Sequence, residues 1–291
     1  MTSVLVTGAT GFLGEHVMQR VLGENSPFDK VIAFARPTSD VTALQASGVE
    51  IRQGDLGDAA SLTKALQDVD VLINIASLGF GQAPEIVRAV QDSNTRRAIF
   101  ISTTAIFTHL PAKTKTVRVA AEKLVQESGL DYTILRPTMI YGTPKDRNIW
   151  RFIQYLRRFP AMPVVGNGAC LQQPVHVEDV ADAVMQSLFV KETYGKAFDV
   201  AGAAPLSFVE MIDTVSRLLQ RRTRKIHLPL TAMVWGARLS RLIPIGPNIS
   251  DEQILRLNED KDFSIAEARK VFQYDPMSFE VGVKRELSFL P

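Results

Sequence analysis

Residues 4–14 read VLVTGATGFLG, an apolar run that leads into three glycines and then into a helical pattern over 12–22. Gly8, Gly11 and Gly14 let the backbone turn tightly and approach a pyrophosphate group. The amide N–H groups of the turn and the positive end of the helix would then face the anion. The spacing is GxxGxxG, and its position between an N-terminal strand and a helix predicts a dinucleotide-binding loop.

Strand-like and helix-like segments alternate outward from this loop over the first 142 residues. The strand-like runs are 4–6, 31–35, 49–51, 69–75, 98–101 and 132–135. Helical spacing of apolar residues occurs at 61–67, 84–91 and 117–127. This alternation predicts an α/β fold with a doubly wound parallel sheet (Rossmann), joined by right-handed crossovers.

The alternation ends after Pro144. Residues 149–159 and 177–189 are helical in pattern, 160–168 is a connection rich in proline and glycine, and 197–200 is typical of a strand that returns to the sheet. The remainder, 206–291, predicts mostly short helices without strong strand signals.

We therefore predict two parts of the chain. An NAD(P)-binding Rossmann domain comprises 1–142 plus 172–202, and a smaller, mostly helical C-terminal substrate or ligand lobe comprises 143–171 plus 203–291. We expect the lobe to close over the carboxyl edge of the sheet, where ligands bind in open α/β folds.

The composition is that of a folded globular protein with balanced charge. The chain has 291 residues, 46% of them hydrophobic, and 33 basic against 31 acidic residues give a net charge of +2. This balance argues against nucleic acid as the main partner. A single cysteine, Cys170, excludes an intramolecular disulfide and a cysteine-based zinc site; we predict no metal site.

The sequence gives no sign of a membrane span or a secretory signal. No run of 18 or more apolar residues occurs, and no basic residues precede the first apolar stretch. We therefore expect a cytoplasmic protein without a transmembrane segment.

Two stretches of the C-terminal part leave alternatives open. The most apolar stretch there, 226–245, favours a helix that packs within the lobe over one that contacts a lipid or a quinone-like ligand. The basic cluster at 221–225 favours a solvated helix end over a site for an anionic ligand.

The end of the second strand bears on the choice of dinucleotide. NAD sites usually place an acidic residue there to accept from the ribose 2′-hydroxyl, whereas this strand ends in Arg36. An arginine pairs well with a 2′-phosphate, and Thr38 and Ser39 add donors. We therefore favour NADP over NAD, although Asp40 could serve the ribose hydroxyl if the loop folds back, and Arg36 could be a solvated surface residue.

Five motifs carry a family resemblance that spans nearly the whole chain. They are VTGATGFLG at 6–14, GDL at 54–56, NIAS at 74–77, LRPTMIYG at 135–142 and PVHVEDVA at 174–181. With them the chain resembles the short-chain dehydrogenase/reductase superfamily, in its extended and atypical branches, which include NAD-dependent epimerase/dehydratase proteins.

The resemblance implies a set of cofactor-binding residues. The loop would contribute Gly8, Thr10, Gly11, Phe12 and Leu13. Asp55 and Leu56 would contact adenine, with the carboxylate accepting from the exocyclic amine, unless Asp55 is only a helix or turn cap. Ala76 and Ser77 would line the cofactor after the fourth strand.

Two further residues would lie near the nicotinamide. Pro137 would be a rigid contact and Thr138 a hydrogen-bond partner. For Asn74 and Arg136 a structural role is the alternative to a role in the site. For His176 a structural role is favoured over a catalytic one.

The expected catalytic pair is altered. Active members of the family carry Tyr-x-x-x-Lys on the helix after the fifth strand, and alignment places Thr114 and Arg118 there, one helical turn apart. A threonine hydroxyl is a poor acid or base near neutral pH, and loss of a positioned proton-transfer group costs about 10²–10⁴-fold in rate. The third partner, a serine or threonine after the fifth strand, falls at Thr103; Tyr141 and His109 are the nearest candidates to replace the missing acid.

A second departure concerns the substrate. Nucleotide-sugar members often carry an arginine for the diphosphate four residues before the histidine of the His-Val motif, and Gln172 stands at that place. The stretches 142–148, 173–176 and 195–198 are also similar to the NAD(P)H-binding accessory subunit of respiratory complex I, in which the cofactor is held without turnover.

Two functions therefore remain open. One is an NAD(P)-dependent oxidoreductase or epimerase with a non-standard active site at Thr103, Thr114 and Arg118. The alternative is a non-catalytic NAD(P)H-binding sensor or assembly protein. The substrate or apolar ligand stays undefined, and the helical segments 84–91 and 117–127 are candidates for the seam of a homodimer.

Overall fold

A seven-stranded parallel sheet forms the centre of the molecule. The computed structural model describes residues 2–110, 113–233, 235, 255 and 258–290. The strands are β1 (Ser3–Thr7), β2 (Lys30–Ala35), β3 (Glu50–Gln53), β4 (Val71–Asn74), β5 (Arg97–Ile101), β6 (Asp131–Pro137), β7 (Ile140–Tyr141), β8 (Ala161–Val165), β9 (Leu171–Gln172), β10 (Val175–His176), β11 (Lys196–Val200), β12 (Leu206–Ser207) and β13 (Arg224–Leu228).

Helices connect most of these strands. They are α1 (Phe12–Val21), α2 (Thr42–Ala46), α3 (Ala59–Ala65), α4 (Ala83–Gln91), α5 (Lys113–Gln126), α6 (Ile149–Arg158), α7 (Val177–Leu188), α8 (Phe208–Leu218), α9 (Ala266–Phe272) and α10 (Phe279–Leu287). Short 3₁₀ turns follow β4 and β5, at Leu78–Phe80 and Thr104–Phe107.

The strand order is that of a doubly wound sheet: β11-β6-β5-β4-β1-β2-β3, with every neighbouring pair parallel. From β1 the chain proceeds to β2 and β3 on one side and then returns at β4 to build the other side. The order therefore reverses between β1 and β4, and the crevice at their carboxyl ends is where such sheets bind ligands. The predicted Rossmann fold is confirmed, including the return strand β11.

Helices cover both faces of the sheet. On one face α1, α7 and α9 contribute Val17, Val180 and Phe272 to a buried cluster. On the other face α3 and α4 contribute Leu62 and Ile86 to a second cluster, together with residues of α5. Full burial of such side chains stabilises the fold by about 1.5–3 kcal/mol each. This double cover explains why the strands are apolar on both sides.

One buried cation ties the sheet to the end of α7. The guanidinium of Arg97, the first residue of β5, donates to the carbonyl oxygens of Leu188 (2.7 Å), Ser187 (2.9 Å) and Asp131 (2.9 Å). It also lies over the ring of Tyr194, 4.2 Å from its centroid. The carbonyl oxygens at the end of a helix carry partial negative charge, so they stabilise this cation without a carboxylate.

The C-terminal part contains strands that the sequence analysis did not predict. β13 pairs in parallel with β8, which lies inside the predicted connection 160–168. The interpretation of 221–225 as a helix end is therefore wrong in part, because Arg224 and Lys225 lie in β13, where Lys225 forms an ion pair with Asp213 (2.5 Å). The pairing joins segments about 60 residues apart, and local apolar periodicity does not report such contacts.

A third buried cluster lies beyond the sheet. It joins α6, α8 and α10 through Ile153, Val215 and Val283, with Tyr141 among them. Residues 265–274 instead pack in the cluster on the sheet face. The division into 1–142 plus 172–202 and 143–171 plus 203–291 remains a prediction.

The apolar stretch 226–245 is described only in part. Residues 226–228 belong to β13 rather than to a helix, and residues 234 and 236–245 lie outside the described residues. In the part of the chain that the structure describes, no helix has the length and apolar character needed to cross a membrane.

Candidate functional site

The glycine loop between β1 and α1 leaves no room for a side chain at Gly14 and little at Gly8. Gly8 has a φ of +68°, and a Cβ at Gly14 would lie 2.0 Å from the Gly8 carbonyl oxygen. Gly11 precedes α1 without any side-chain hydrogen bond that caps the helix. The first-turn amides of α1 are therefore left to an external acceptor such as a phosphate.

The predicted loop residues differ in what they present to a ligand. Thr10 and Gly11 are exposed, and Phe12 is half-buried. The side chain of Leu13 is buried in the core, so only its backbone is available to a cofactor. The loop between β1 and α1, which we call the glycine cradle, thus offers a ligand its backbone amides, and the close glycine contacts fit the binding of a pyrophosphate.

A hydrogen-bond chain brings the end of β4 against this cradle. Thr7 Oγ1 donates to Asn74 Oδ1 (2.8 Å), and Asn74 Nδ2 donates to the Ala76 carbonyl (3.0 Å). A Cβ at Gly8 would lie 3.0 Å from the Ala76 nitrogen. Ala76 therefore lies against the glycine loop, while the predicted contacts of Ala76 and Ser77 with a cofactor stay predictions, and Asn74 has a structural role in this hydrogen-bond chain.

Arg36 lies directly after β2 and is exposed. Its carbonyl accepts from the Ser39 amide (2.9 Å), which bends the loop at this point. The Asp40 carboxylate accepts from the Thr42 amide (3.0 Å), and this bond lowers the pKa of Asp40. One oxygen of the carboxylate that could serve an NAD ribose thus accepts a hydrogen bond within its own turn.

Asp55 and Leu56 follow β3 at the sheet edge. Asp55 Oδ1 accepts from the Gly57 amide (2.7 Å). The residue therefore caps a local turn, which was the alternative to an adenine contact. The side chain is exposed, and its adenine contact stays a prediction. Leu56 is half-buried against the cluster under α3.

The expected nicotinamide contacts lie at the end of β6. Pro137 is buried and pairs with Val200 of β11. Thr138 Oγ1 donates to the Gln173 carbonyl (2.5 Å), and its amide donates to the Val200 carbonyl (3.1 Å). The Thr138 hydroxyl therefore has its proton engaged, and only its lone pairs remain for a ligand.

Thr114 and Arg118 do lie together on α5. Arg118 Nη1 approaches Thr114 Oγ1 at 3.4 Å. A Cβ at Gly79 would lie 2.8 Å from Arg118 Nε and 3.3 Å from Ser77 Oγ. The guanidinium therefore lies over the turn after β4, beside a predicted cofactor residue. This is a position from which a planar donor can bind ribose hydroxyls.

The remaining candidates for proton transfer differ in their surroundings, and the catalytic role predicted for Thr103 stays a prediction. Thr103 Oγ1 accepts from the Ala105 amide (3.2 Å) and caps the turn after β5. Tyr141 is buried in the third cluster, its hydroxyl donates to the Phe279 carbonyl (3.4 Å), and burial raises its pKa well above the ordinary value. His109 is exposed, and its amide donates to Glu259 (2.6 Å). Tyr141 is therefore not a replacement acid for the site.

Gln172 is buried and its amide is occupied. Its Nε2 donates to the Glu259 carbonyl (3.3 Å), and Lys261 Nζ donates to its Oε1 (3.1 Å). Glu259 also accepts from Thr108 Oγ1 (2.7 Å). The glutamine thus fastens segment 258–261 to β9, and Glu259 joins the same segment to Thr108 after β5.

Two further contacts at the site were missed by sequence reasoning. Lys145 Nζ donates to Glu15 Oε1 (2.5 Å) and holds the loop after β7 against the first turn of α1. Arg136 binds Glu122 of α5 (2.6 Å) and joins α5 to β6, which is the structural role that was left open for it. The pairs are 130 and 14 residues apart in sequence, and neither spacing is that of one helical or strand face, so no local signal could have identified them.

The comparisons with known proteins agree with this geometry. Residues 8–190 match the NAD(P)H-binding family, and the chain belongs to that family. It is 34% identical to quinone oxidoreductase 2 of Escherichia coli over 164 residues, which are 54% of this chain and 52% of that protein. The alignment thus spans about half the length of that relative.

Two other similarities cover more of the chain. The mitochondrial NADH dehydrogenase [ubiquinone] 1 alpha subcomplex subunit 9 of Mus musculus is 26% identical over 87% of this chain and 71% of its own length. The crystal structure of an NADPH-dependent quinone oxidoreductase from Escherichia coli, complexed with NADPH, has a TM-score of 0.77 at 21% identity and covers 97% of this chain and 98% of that one. The predicted NAD(P)-binding Rossmann fold and the similarity to the complex I subunit are confirmed.

Proposed function

We propose that this chain is an NADPH-dependent oxidoreductase whose acceptor is a quinone-like molecule. The proposal rests mainly on the glycine loop between β1 and α1. A Cβ at Gly14 would overlap the Gly8 carbonyl, and no side chain caps the N-terminus of α1. The relative at 34% identity is named a quinone oxidoreductase, which supports the choice of acceptor.

The residues of the site favour an acceptor that needs little help with protons. NADPH, when bound, supplies a hydride. In the net reaction a quinone takes that hydride and one proton and leaves as hydroquinone, and the proton can come from water. Thr114 cannot act as an acid near neutral pH, whereas a quinone does not require one at this place. Arg118 binds ribose hydroxyls and orients the nicotinamide end, and Ala76 and Ser77 line the same side.

Turnover with quinones tests the proposal directly. We expect purified protein saturated with NADPH to oxidise it in the presence of benzoquinone or menadione, and much more slowly with nucleotide sugars. Oxidation of NADPH is followed optically, and calorimetry on the same sample establishes that the cofactor is bound. Bound NADPH with no quinone-dependent oxidation above the protein-free rate would reject the enzymatic function.

Arg36 is the residue that we propose reads the 2′-phosphate. Arg36→Ala is expected to raise the Kd for NADPH by about 10–100-fold, because a charge-assisted contact is lost. The Kd for NADH should change by less than about twofold. Titration of both cofactors by calorimetry measures the two values.

The matched control for that substitution is Arg88→Ala. Arg88 is an exposed arginine on α4 that forms an ion pair with Asp92 (3.6 Å), away from the glycine loop. It should change neither Kd. Equal weakening of NADPH and NADH by Arg36→Ala would show that Arg36 does not distinguish the two.

A second function is supported by the altered pair at Thr114 and Arg118. A chain that holds NAD(P)H without turnover needs the cradle but not an acid, and a respiratory complex I subunit is among its relatives. In this case the protein would be a sensor or an assembly protein. Both functions require cofactor binding, and the quinone assay distinguishes them because only the enzyme oxidises NADPH.

The remaining parts of the proposal concern context. We propose that the protein works in the cytoplasm, that segments 143–171 and 203–291 hold the acceptor, and that α4 and α5 form the seam of a homodimer. Exposed Val117 and Leu124 on α5 support that seam. Sedimentation of the purified protein measures its oligomeric state.

A further inference from the structure

Acidic residues are absent from two long stretches in the second half of the chain. The chain has 31 acidic residues in 291 positions, about one in nine, yet no Asp or Glu occurs between 147 and 177 or between 214 and 250. Both stretches contain arginines. They also contain β8 and β13, which pair with each other in the structure. The fold therefore brings the two acid-free stretches together, so that positive charge collects where they meet.

Five exposed arginines surround this meeting point. The Arg224 amide donates to the Pro160 carbonyl (2.8 Å), which places the end of α6 beside the start of β13. Among the described residues none of the five arginines forms an ion pair, whereas the neighbouring Lys225 is paired with Asp213. We call the five arginines the basic face: Arg157 and Arg158 in the last turn of α6, and Arg221, Arg222 and Arg224 before and at the start of β13.

The strand β13 also presents an apolar side chain outward. Met162 and Val164 of β8 pack in the third buried cluster, so the alternate residue Pro163 lies on the other face of this two-stranded sheet. Ile226 pairs with Pro163 in register and therefore shares that outer face. Arg224, two residues earlier in the same strand, lies on it as well. Ile226 is exposed, so the outer face combines charge with apolar surface.

A second exposed apolar side chain ends α6. Phe159 follows the last helical residue and is exposed. The guanidinium of Arg158 lies over its ring, 5.5 Å from the centroid. Exposed apolar side chains within a group of unpaired arginines are typical of a surface that binds an anionic and partly apolar partner.

A bilayer with anionic headgroups fits both features of this surface. Clusters of four to eight basic residues bind anionic lipids, and a guanidinium pairs with a phosphate through two parallel hydrogen bonds. Neighbouring apolar side chains enter the headgroup region. A nucleic acid also attracts arginines and can stack a base on Phe159, but it gains nothing from an exposed isoleucine. The combination of Phe159 and Ile226 therefore favours lipid.

We propose that the basic face binds the surface of a bilayer that contains anionic lipids, with Phe159 and Ile226 in the headgroup region. The arginines contact lipid phosphates, and their aliphatic stems lie along the apolar surface between them. This inference goes beyond the proposed function, because lipid binding requires neither a cofactor nor turnover.

Co-sedimentation with vesicles tests the charged part of the face. We expect wild-type protein to bind vesicles of phosphatidylglycerol and phosphatidylcholine, to bind pure phosphatidylcholine much more weakly, and to dissociate as the salt concentration rises. The double variant Arg157→Gln/Arg158→Gln should weaken binding about tenfold or more. The control is Arg269→Gln/Lys270→Gln, which removes two adjacent cations from the last turn of α9. It lowers the net charge equally and should change binding less than about twofold.

A second pair of variants tests the apolar part. Phe159→Gln should weaken vesicle binding about fivefold, because the ring no longer enters the headgroup region. Phe189→Gln is its control, since Phe189 also follows the last residue of a helix and is 48% exposed against 42% for Phe159. Phe189→Gln should bind vesicles as the wild type does. Thermal unfolding establishes that each variant is folded.

Three results would overturn the proposal. They are wild-type protein that binds neither kind of vesicle, equal weakening by the two double variants, and tighter binding to a single-stranded oligonucleotide than to the anionic vesicles. The last would assign the basic face to a nucleic acid. Vesicle binding is measured without NADPH, so failure of the quinone assay leaves this test intact, and failure to bind vesicles leaves the quinone assay to be judged by itself.

Discussion

Replacing Gly14 with alanine is expected to weaken NADPH binding by about 100-fold or more, because the displaced loop amides lose hydrogen bonds to charged phosphate oxygens that contribute about 1.5–3 kcal/mol each. The added Cβ would lie 2.0 Å from the Gly8 carbonyl oxygen and 2.8 Å from the Ala9 carbonyl. These neighbours are backbone atoms, which cannot rotate away as a side chain can. The loop must therefore move away from α1, and its amides lose their alignment toward the phosphates.

A graded series makes this prediction specific. A Cβ at Gly11 would lie 3.2 Å from the Gly8 oxygen, so Gly11→Ala should weaken binding less than Gly14→Ala. Gly23, just beyond the other end of α1, has its nearest neighbour at 3.4 Å, which is an ordinary contact. Gly23→Ala should therefore bind NADPH as the wild type does. Calorimetry gives the three Kd values, and thermal unfolding of each variant separates loss of the loop from loss of the fold. A Gly14→Ala protein that is folded and binds normally would contradict the assignment of the cradle.

The sheet and its loop were predictable because their signals are local. The strand β1, the glycines and the start of α1 lie within one short stretch, and β-branched runs identify β4 to β6. The same is true of Thr114 and Arg118, since a spacing of four residues places two side chains on one helical face. The structure places Arg118 beside Ser77. The sequence did not predict this proximity, because it depends on the path of the turn after β4.

What the sequence did not reveal depends on contacts between distant segments. Among the described residues, β13 and β8 form a sheet only with each other, and neither has strong strand periodicity of its own. Glu259 binds Thr108 across 151 positions, and Lys145 binds Glu15 across 130. Such pairs join the segment at 259 to the turn after β5 and the loop after β7 to α1, but residue type alone does not show which partner each will find. His176 is an instructive case: the sequence favoured a structural role without defining it, and the structure shows the ring accepting from the Glu178 amide as the N-cap of α7.

Substituting Arg97 with methionine is expected to lower the free energy of unfolding by about 3–5 kcal/mol. The substitution leaves the carbonyl oxygens of Leu188, Ser187 and Asp131 without their donor, and each buried unsatisfied acceptor costs about 1–3 kcal/mol. These carbonyls lie at the end of α7 and at the start of β6, so one side chain joins a helix on one face of the sheet to two adjacent strands. Burial lowers the pKa of Arg97 to about 10, which still leaves it charged at neutral pH. Denaturant unfolding measures the loss.

The size of this effect follows from geometry rather than from charge alone. Arg97→Lys keeps the cation but offers one nitrogen in place of three, so it should recover less than half of the loss. Arg217→Met, on the exposed surface of α8, removes an arginine of the same length with a weak ion partner and should change stability by less than about 0.5 kcal/mol. If Arg97→Lys were as stable as the wild type, a point charge near the end of α7 would suffice, and the three-way hydrogen bonding would not be what holds the helix to the sheet. Both Arg97 variants can instead lose stability while NADPH still binds to the folded fraction. In that case the hydrogen bonds of Arg97 and the glycine loop contribute independently, which is expected because they lie at opposite ends of the strands.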